Sequence, residues 1–251
     1  MLWTVMDHIR RIESLTLNAW PALDQVAHDG WLLRYAEGYT GRANSVTVLQ
    51  PGAEALEEKI PACENTYAEV GAPCRFRLSP LADDGLDAAL EARGYVREKE
   101  TVVLSCDALQ PEDADPRISL TETPHGGWLE TFARAQGLTA GERRLHEKIL
   151  ERIALPRTFA LFHLEGEGVC TALTVLDRDA AMLLGVAVDA RFRGQGFGHR
   201  TVRAALGRAY EQGARAAHLG VEADNREALT LYEGLGFTET YRYHYRRQAG
   251  P

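Results

Sequence analysis

Between residues 191 and 198 the chain reads Arg191-Phe192-Arg193-Gly194-Gln195-Gly196-Phe197-Gly198, with three glycines at alternate positions. Glycine lacks the Cβ that keeps a ligand away from the backbone. An apolar, strand-like run (182–188) leads into this segment and a helix-like run (199–212) leaves it. The amides that open such a helix have no partners within it, so they are free to bind an anion, and the helix dipole adds to the attraction. Arg191, Arg193, Arg200 and Arg203 bring further positive charge. This chemistry suits a cofactor that carries a pyrophosphate.

The loop alone leaves several cofactors open. A Walker loop needs G-x-x-x-x-G-K-[ST], and the segment has no lysine. A dinucleotide fold would use an acidic residue such as Glu222, which ends the next strand-like run where a ribose-binding carboxylate could sit. Against that fold stand the entry through R-x-R-G and preceding segments that read as antiparallel hairpins. A tight strand-to-helix turn with no ligand is the plainest alternative.

Downstream lies His218-Leu219-Gly220-Val221-Glu222-Ala223-Asp224-Asn225, followed by Ala228-Leu229-Thr230-Leu231-Tyr232-Glu233-Gly234-Leu235-Gly236-Phe237. With the R-x-R-G-x-G-x-G loop, this resembles the GNAT superfamily of acyl-CoA-dependent N-acetyltransferases over roughly residues 117–247. The resemblance implies an α/β (α+β) fold, a mixed, mainly antiparallel twisted sheet flanked by helices, and acetyl-CoA as co-substrate.

The elements that must position the loop are legible around it. Residues 118–121 read as a first strand, 128–136 and 142–153 have apolar residues at helical spacing, and 158–163, 169–176 and 180–188 read as an antiparallel meander. Residues 216–222 are a further strand, Asp224 with Glu227 reads as a capping box, and 237–246 supply the last strands. The first half reads as an eroded copy of the same plan. It has a hairpin (30–35 with 43–49), a helix (53–70), a strand (74–78), a helix (83–93) and a strand (100–105). Residues 86–95 overlay 229–237 in pattern, with Leu90 where Tyr232 stands. The loop before the first of these helices is Gln50-Pro51-Gly52, and Pro51 has no amide hydrogen to offer a phosphate.

The expected organisation is therefore a degenerate, non-catalytic GNAT-like domain over 1–110 and a catalytic domain over 117–251, joined by the acidic, proline-bearing stretch 110–116. Such folds often pair to complete an acceptor cleft, and fusing two copies keeps that interface at high effective concentration. A non-homologous cap domain is the alternative. One N-terminal segment, Gly38-Tyr39-Thr40-Gly41-Arg42-Ala43-Asn44-Ser45, reads either as a hairpin turn or as the lining of an acceptor pocket.

Composition narrows the partners. The net charge of −8 is uneven: residues 1–115 hold ten Lys and Arg against twenty Asp and Glu, and residues 116–251 eighteen against sixteen. An acidic first half argues against nucleic acid and is compatible with attracting a cationic amine. No apolar run is long enough to span a bilayer and no signal peptide is read at the N-terminus, so a cytoplasmic protein is expected. Cys63, Cys74, Cys106 and Cys170 form no C-x-x-C pair, which points to reduced thiols and no metal site. Monomer and homodimer both remain open.

By the resemblance, backbone around Val186 and Val188 pairs with the pantetheine arm and stabilises the oxyanion. Arg193, Gly194, Gln195, Gly196 and Gly198 hold the pyrophosphate, and Asn225 bonds the cofactor or the adjacent backbone. Tyr232 is the expected general acid, since a phenol near pKa ~10 is protonated at neutral pH and can reprotonate a departing thiolate. Glu222 is the first candidate for general base, with His218 on the same strand face and ordered water as alternatives. The leading function is acetyl transfer from acetyl-CoA to a primary amine by direct attack in a ternary complex. The alternative is a non-catalytic acyl-CoA-binding sensor or scaffold.

Overall fold

A computed structural model describes residues 4–112 and 115–249; the expected linker at 110–116 therefore lies partly outside the described residues. The chain divides into two compact units. The first holds the chain up to Val102 together with Lys148–Arg152 and the chain from Tyr241 onward, and the second holds Val103–Glu147 and Ile153–Thr240.

The first unit opens with helix α1 (Val5–Ala19), whose buried Ile9, Ile12, Leu15 and Ala19 recur at helical spacing and whose Thr4 and Asp7 form a capping box. Strands β1 (Asp24–His28), β2 (Trp31–Tyr35) and β3 (Val46–Val48) form an antiparallel meander. Helix α2 (Leu56–Glu69) then crosses over to β4 (Arg75–Leu78), which pairs with β3 in parallel. Helix α3 (Leu86–Ala92) and β5 (Val96–Cys106) follow. Core residues Trp31, Phe76 and Tyr95 meet edge to face, the arrangement that aromatic quadrupoles favour.

The second unit repeats this order after its own opening strand β6 (Ile118–Thr121) and helices α4 (Gly126–Gln136) and α5 (Ala140–Glu151). Strands β7 (Arg157–Leu164), β8 (Glu167–Asp177) and β9 (Ala180–Val188) are an antiparallel meander, as their alternating apolar pattern predicts. Helix α6 (Phe197–Glu211) crosses over to β10 (Ala216–Glu222), parallel to β9, and α7 (Arg226–Glu233) and β11 (Thr238–Arg247) complete the series. Among the strands wholly within the second unit the order is β10-β9-β8-β7-β6, and among those wholly within the first β1-β2-β3-β4, while β5 and β11 each carry residues of both units. The fold is thus mixed α/β with mainly antiparallel pairing.

The corresponding helix ends are closed alike. Tyr95 and Phe237 each donate an amide to the carbonyl five residues back, at Leu90 and Tyr232, both at 3.0 Å. The glycines just before them, Gly94 and Gly236, hold φ at 81° and 82°, a conformation that costs glycine little. Residues 237–246 were expected to supply more than one strand and form the single strand β11.

Candidate active site

Three features of the second unit converge on the glycine loop. The first is a bulge in β9. Thr171 stands opposite Ala187 and Leu173 opposite Leu184, so β9 carries one residue more than β8 over this stretch. Gly185 takes up the irregularity with φ 58°, its carbonyl accepts from Thr171 Oγ1 at 2.8 Å, and a Cβ there would lie 3.2 Å from the Trp128 ring. Trp128 is itself fixed by its indole N–H to Ala172 O at 3.1 Å and by stacking on Phe132.

The second is the parting of β9 from β10. They pair over only three positions, Ala180 to Met182 with Ala216 to His218. Val186 and Val188 lie beyond the paired stretch and are half-buried. The amide of Asp189 donates to Val169 across β8, so strand alternation turns the amide of Val188 toward the open edge.

The third is the start of α6. Gly194 and Gly196 have φ of 72° and 77°, are exposed, and have open space where a Cβ would stand. Gly196 is the N-cap and offers no side chain; the first amide bonded within the helix is that of Arg200, to Gly196 O at 3.2 Å. The preceding amides are left for an anion. Gly198 is buried in the first turn of α6, and a Cβ there would make ordinary van der Waals contact with Val188 and Leu231 at 3.4 and 3.7 Å. Gln195 and Arg193 are exposed, and Arg193 Nε reaches back to Val188 O at 3.5 Å.

Arg191 does not share their availability. Asp189, nearly buried, accepts from Arg191 Nε and Nη2, from the Arg191 amide and from Arg134 Nε at 2.6 Å. Those donors hold its carboxyl well below the usual carboxylate range. Arg191 also pairs with Glu167, and Arg203 with Glu112. Two of the four arginines expected to serve the anion are thus committed to carboxylates of the chain. Asp189, Arg134, Thr171 and Trp128 were not identified from sequence. An isolated glycine inside the apolar run of β9 was the one local signal for the bulge.

Tyr232 lies on α7 next to Leu231, whose side chain lies close to Gly198. It is buried, edge-on to Phe237 at 6.0 Å, and its hydroxyl has no hydrogen-bond partner among the described residues. Burial, with Cys170 close by, pushes the phenol above its ordinary value and keeps it protonated. Glu222 is exposed at the end of β10. Asn225 is the N-cap of α7, its Oδ1 accepting from Ala228 N at 3.1 Å. The cap is therefore Asn225, one residue later than the Asp224–Glu227 box expected. His218 is buried, with Nδ1 2.8 Å from Ser105 Oγ, which accepts from Thr240 Oγ1 at 2.6 Å. The hydroxyl pair therefore engages one ring nitrogen of His218, away from the exposed end of β10 where Glu222 stands.

At the corresponding place in the first unit, the amides of Ala53 and Glu54 ahead of α2 donate to the Asp29 carboxylate at 2.9 and 3.0 Å. A Cβ on Gly52 would collide with that same carboxylate, and Lys59, fully buried, pairs with it at 2.9 Å. The anion position is filled by the chain itself. Segment 38–45 is a turn pinned by Asn44, whose side chain bonds the amides of Ala36 and Gly38 and the carbonyls of Tyr39 and Thr40. No helix among the described residues is long and apolar enough to cross a membrane.

These features define the GNAT class of acyltransferases. A solved GCN5-related N-acetyltransferase from Kribbella flavida has the same fold, with a TM-score of 0.70 over 96% of both chains at 17% identity. The tandem GNAT protein from the clavulanic acid biosynthesis pathway matches at 0.63 over 96% of this chain and 88% of its own, at 15% identity. The family described as probable histone acetyltransferase Rv0428c, C-terminal, matches residues 6–246, and the chain belongs to it. The uncharacterized N-acetyltransferase YobR of Bacillus subtilis is 29% identical over 96% of this chain and 99% of its own. The [ribosomal protein bS18]-alanine N-acetyltransferase of Escherichia coli K12 is 35% identical over 55% of this chain and 84% of its own. The protein is a GNAT-type acetyltransferase.

Proposed function

We propose that the second unit binds acetyl-CoA and transfers its acetyl group directly to a primary amine within a ternary complex. The observation that carries this reading is the uncapped N-terminus of α6 opening beside the α7 segment that bears Tyr232. The free amides at Gly196 and Gly198, with Gln195, Gly194 and Arg193, hold the pyrophosphate. The unpaired edge of β9 at Val186 and Val188 takes the pantetheine arm, and its amides stabilise the oxyanion, each contributing on the order of 3 kcal/mol. Holding amine and thioester in attack geometry lowers the barrier by roughly 7–11 kcal/mol. The thioester C–S bond breaks as the amine attacks, and Tyr232 gives its proton to the departing thiolate. Glu222, exposed at the end of β10, takes the ammonium proton directly or through water. Asn225 fixes the start of α7, which supports Tyr232 from behind.

Residues 117–251 then form the catalytic domain, and 1–110 a GNAT-like companion that has lost its cofactor. The Asp29 carboxylate on the α2 amides and Leu90 in place of Tyr232 both support this assignment. The chain works in the cytoplasm. The acceptor is a small amine or a peptide amine. The name of the Escherichia coli relative gives an alanine of ribosomal protein bS18 as its acceptor, so an alanine-bearing peptide belongs in the screen.

Calorimetry with acetyl-CoA, and NADH as control, tests this. Micromolar binding at about one acetyl-CoA per chain, abolished by Gly196→Glu, is expected. Two per chain would reinstate the first unit as a cofactor site. Affinity that survives Gly196→Glu would remove the loop from its role.

A further inference from the structure

In the first unit the two faces of the sheet are unlike. The face toward α2 and α3 is apolar, with Trp31, Leu33, Val46, Val48, Phe76 and Leu78 in one cluster. Strand alternation turns the intervening residues to the other face, and Thr47 stands opposite Arg77 and Arg77 opposite Tyr245. That other face carries Arg34, Ser45, Thr47, Arg77, Tyr243 and Tyr245, all buried, with half-buried Leu32 opposite Thr47. Helix α1 covers it. Arg77 and Tyr241 both bond Glu13 of α1, and the Arg34 guanidinium donates to the carbonyls of Leu17, Trp20 and Arg42.

The charges in this layer do not balance. Among the described residues, Arg77 engages the Glu13 carboxylate through two hydrogen bonds, and no carboxylate is paired with the Arg34 or Arg42 guanidinium. All the hydrogen bonds of the Arg34 guanidinium go to neutral carbonyls. Burial, and then the charge of Arg77, hold its pKa down to about 10. Arg42 stacks over the Trp20 ring, and Gly41 beside it lies against the Tyr245 ring. At the margin, Arg75 is matched by Glu98 at 3.0 Å. Two hydroxyls are also unmatched: Ser45 Oγ and Thr47 Oγ1 have no hydrogen-bond partner among the described residues, although their residues are 0% and 1% exposed.

Buried hydroxyls without partners and buried charge in excess both destabilise a fold. Alanine and valine in place of Ser45 and Thr47 would remove the first defect with almost no change of shape. A layer that served only to pack α1 on the sheet has no need of either. We propose that the α1-facing layer of the first unit binds a small molecule bearing an oxyanion, a carboxylate or a phosphate. Its oxygens accept from Ser45 and Thr47, and its charge offsets those of Arg34 and Arg42.

The full chain carrying Gly196→Glu, which closes the α6 loop to anions, is titrated calorimetrically with inorganic phosphate and separately with succinate. One of the two saturates at one site per chain, and which one identifies the head group. Thr47→Val and, independently, Arg42→Gln weaken that binding tenfold or more, while Thr47→Val raises the Tm of the unliganded protein. No saturable binding of either anion at millimolar concentration would overturn the assignment. So would undiminished affinity in both variants.

Discussion

Replacing Tyr232 by phenylalanine removes one oxygen and separates chemistry from stability. The ring keeps its edge contact with Phe237, and the lost hydroxyl has no partner among the described residues, so no buried donor or acceptor is stranded. Stability should stay within about 0.5 kcal/mol of wild type. The phenol is not among the groups proposed to hold the pyrophosphate at the start of α6, so affinity for acetyl-CoA should be retained. Turnover should fall by about 10²–10⁴-fold, the range for loss of a general acid, or roughly 3–5 kcal/mol of barrier. Burial raises the phenol pKa, so the wild-type enzyme keeps its acid through mildly alkaline pH. Its kcat therefore shows no decline from Tyr232 ionisation below pH ~10, the ordinary tyrosine value. Steady-state thiol release, calorimetry and thermal melts on the same preparations read the three quantities. A folded Tyr232→Phe protein within threefold of wild-type turnover would refute the reasoning.

Three further substitutions probe the frame. Gly185→Ala forces a side chain into φ 58° against the Trp128 ring; a loss of about 1–2 kcal/mol is expected, together with a higher KM for acetyl-CoA as the β9 bulge flattens. Unchanged melts and KM would remove the bulge from any role. Burial lowers His146 to about 4, so the unfolded chain takes up its proton first, and stability falls as pH drops from ~6.5 to ~4. The total is on the order of 3 kcal/mol, and His146→Phe, which suits the stack with Phe132 and Trp128, should abolish that slope in denaturant titrations. Hydrogen bonds from the Ala53 and Glu54 amides, with Lys59, depress Asp29 to about 2, below its unfolded value, so its contribution is present above pH ~4 and lost as pH falls toward 2. The stability gap between wild type and Asp29→Asn should close across that window; a gap constant down to pH 2 would contradict the pairing.

The parts read correctly from sequence are those whose physics is local. The glycine spacing at 194–198 announced the tight turn into α6, and the apolar runs announced β9 and β10 on either side of that helix in the chain. The Gly236-Phe237 helix end matched its counterpart at Gly94-Tyr95 because both rest on a short-range backbone motif. Helix α1 was missed although Ile9, Ile12, Leu15 and Ala19 were in view, because the charged residues among them were read only as evidence against a signal peptide. Strand β1 is exposed nearly throughout, and the first half of β5 carries Arg97, Glu98, Lys99 and Glu100; neither shows an apolar alternation to read. Helix α2 begins at Leu56 rather than Ala53 because Asp29, distant in sequence, holds the amides of Ala53 and Glu54 in the loop. The commitment of Arg191 to Asp189 and Glu167 is likewise tertiary, and composition alone counted its charge as available.

That commitment bears on how the enzyme responds to its ionic surroundings. With Arg191 and Arg203 paired to carboxylates of the chain, the proposed pyrophosphate site relies on Arg193 and on helix amides fixed in direction by the fold. Mobile ions screen exposed charges over about 8 Å at physiological ionic strength, but they cannot enter between a bound oxygen and the amide that holds it. In the proposed site, affinity for acetyl-CoA should therefore fall only modestly between low and physiological salt, which calorimetry at the two ionic strengths checks.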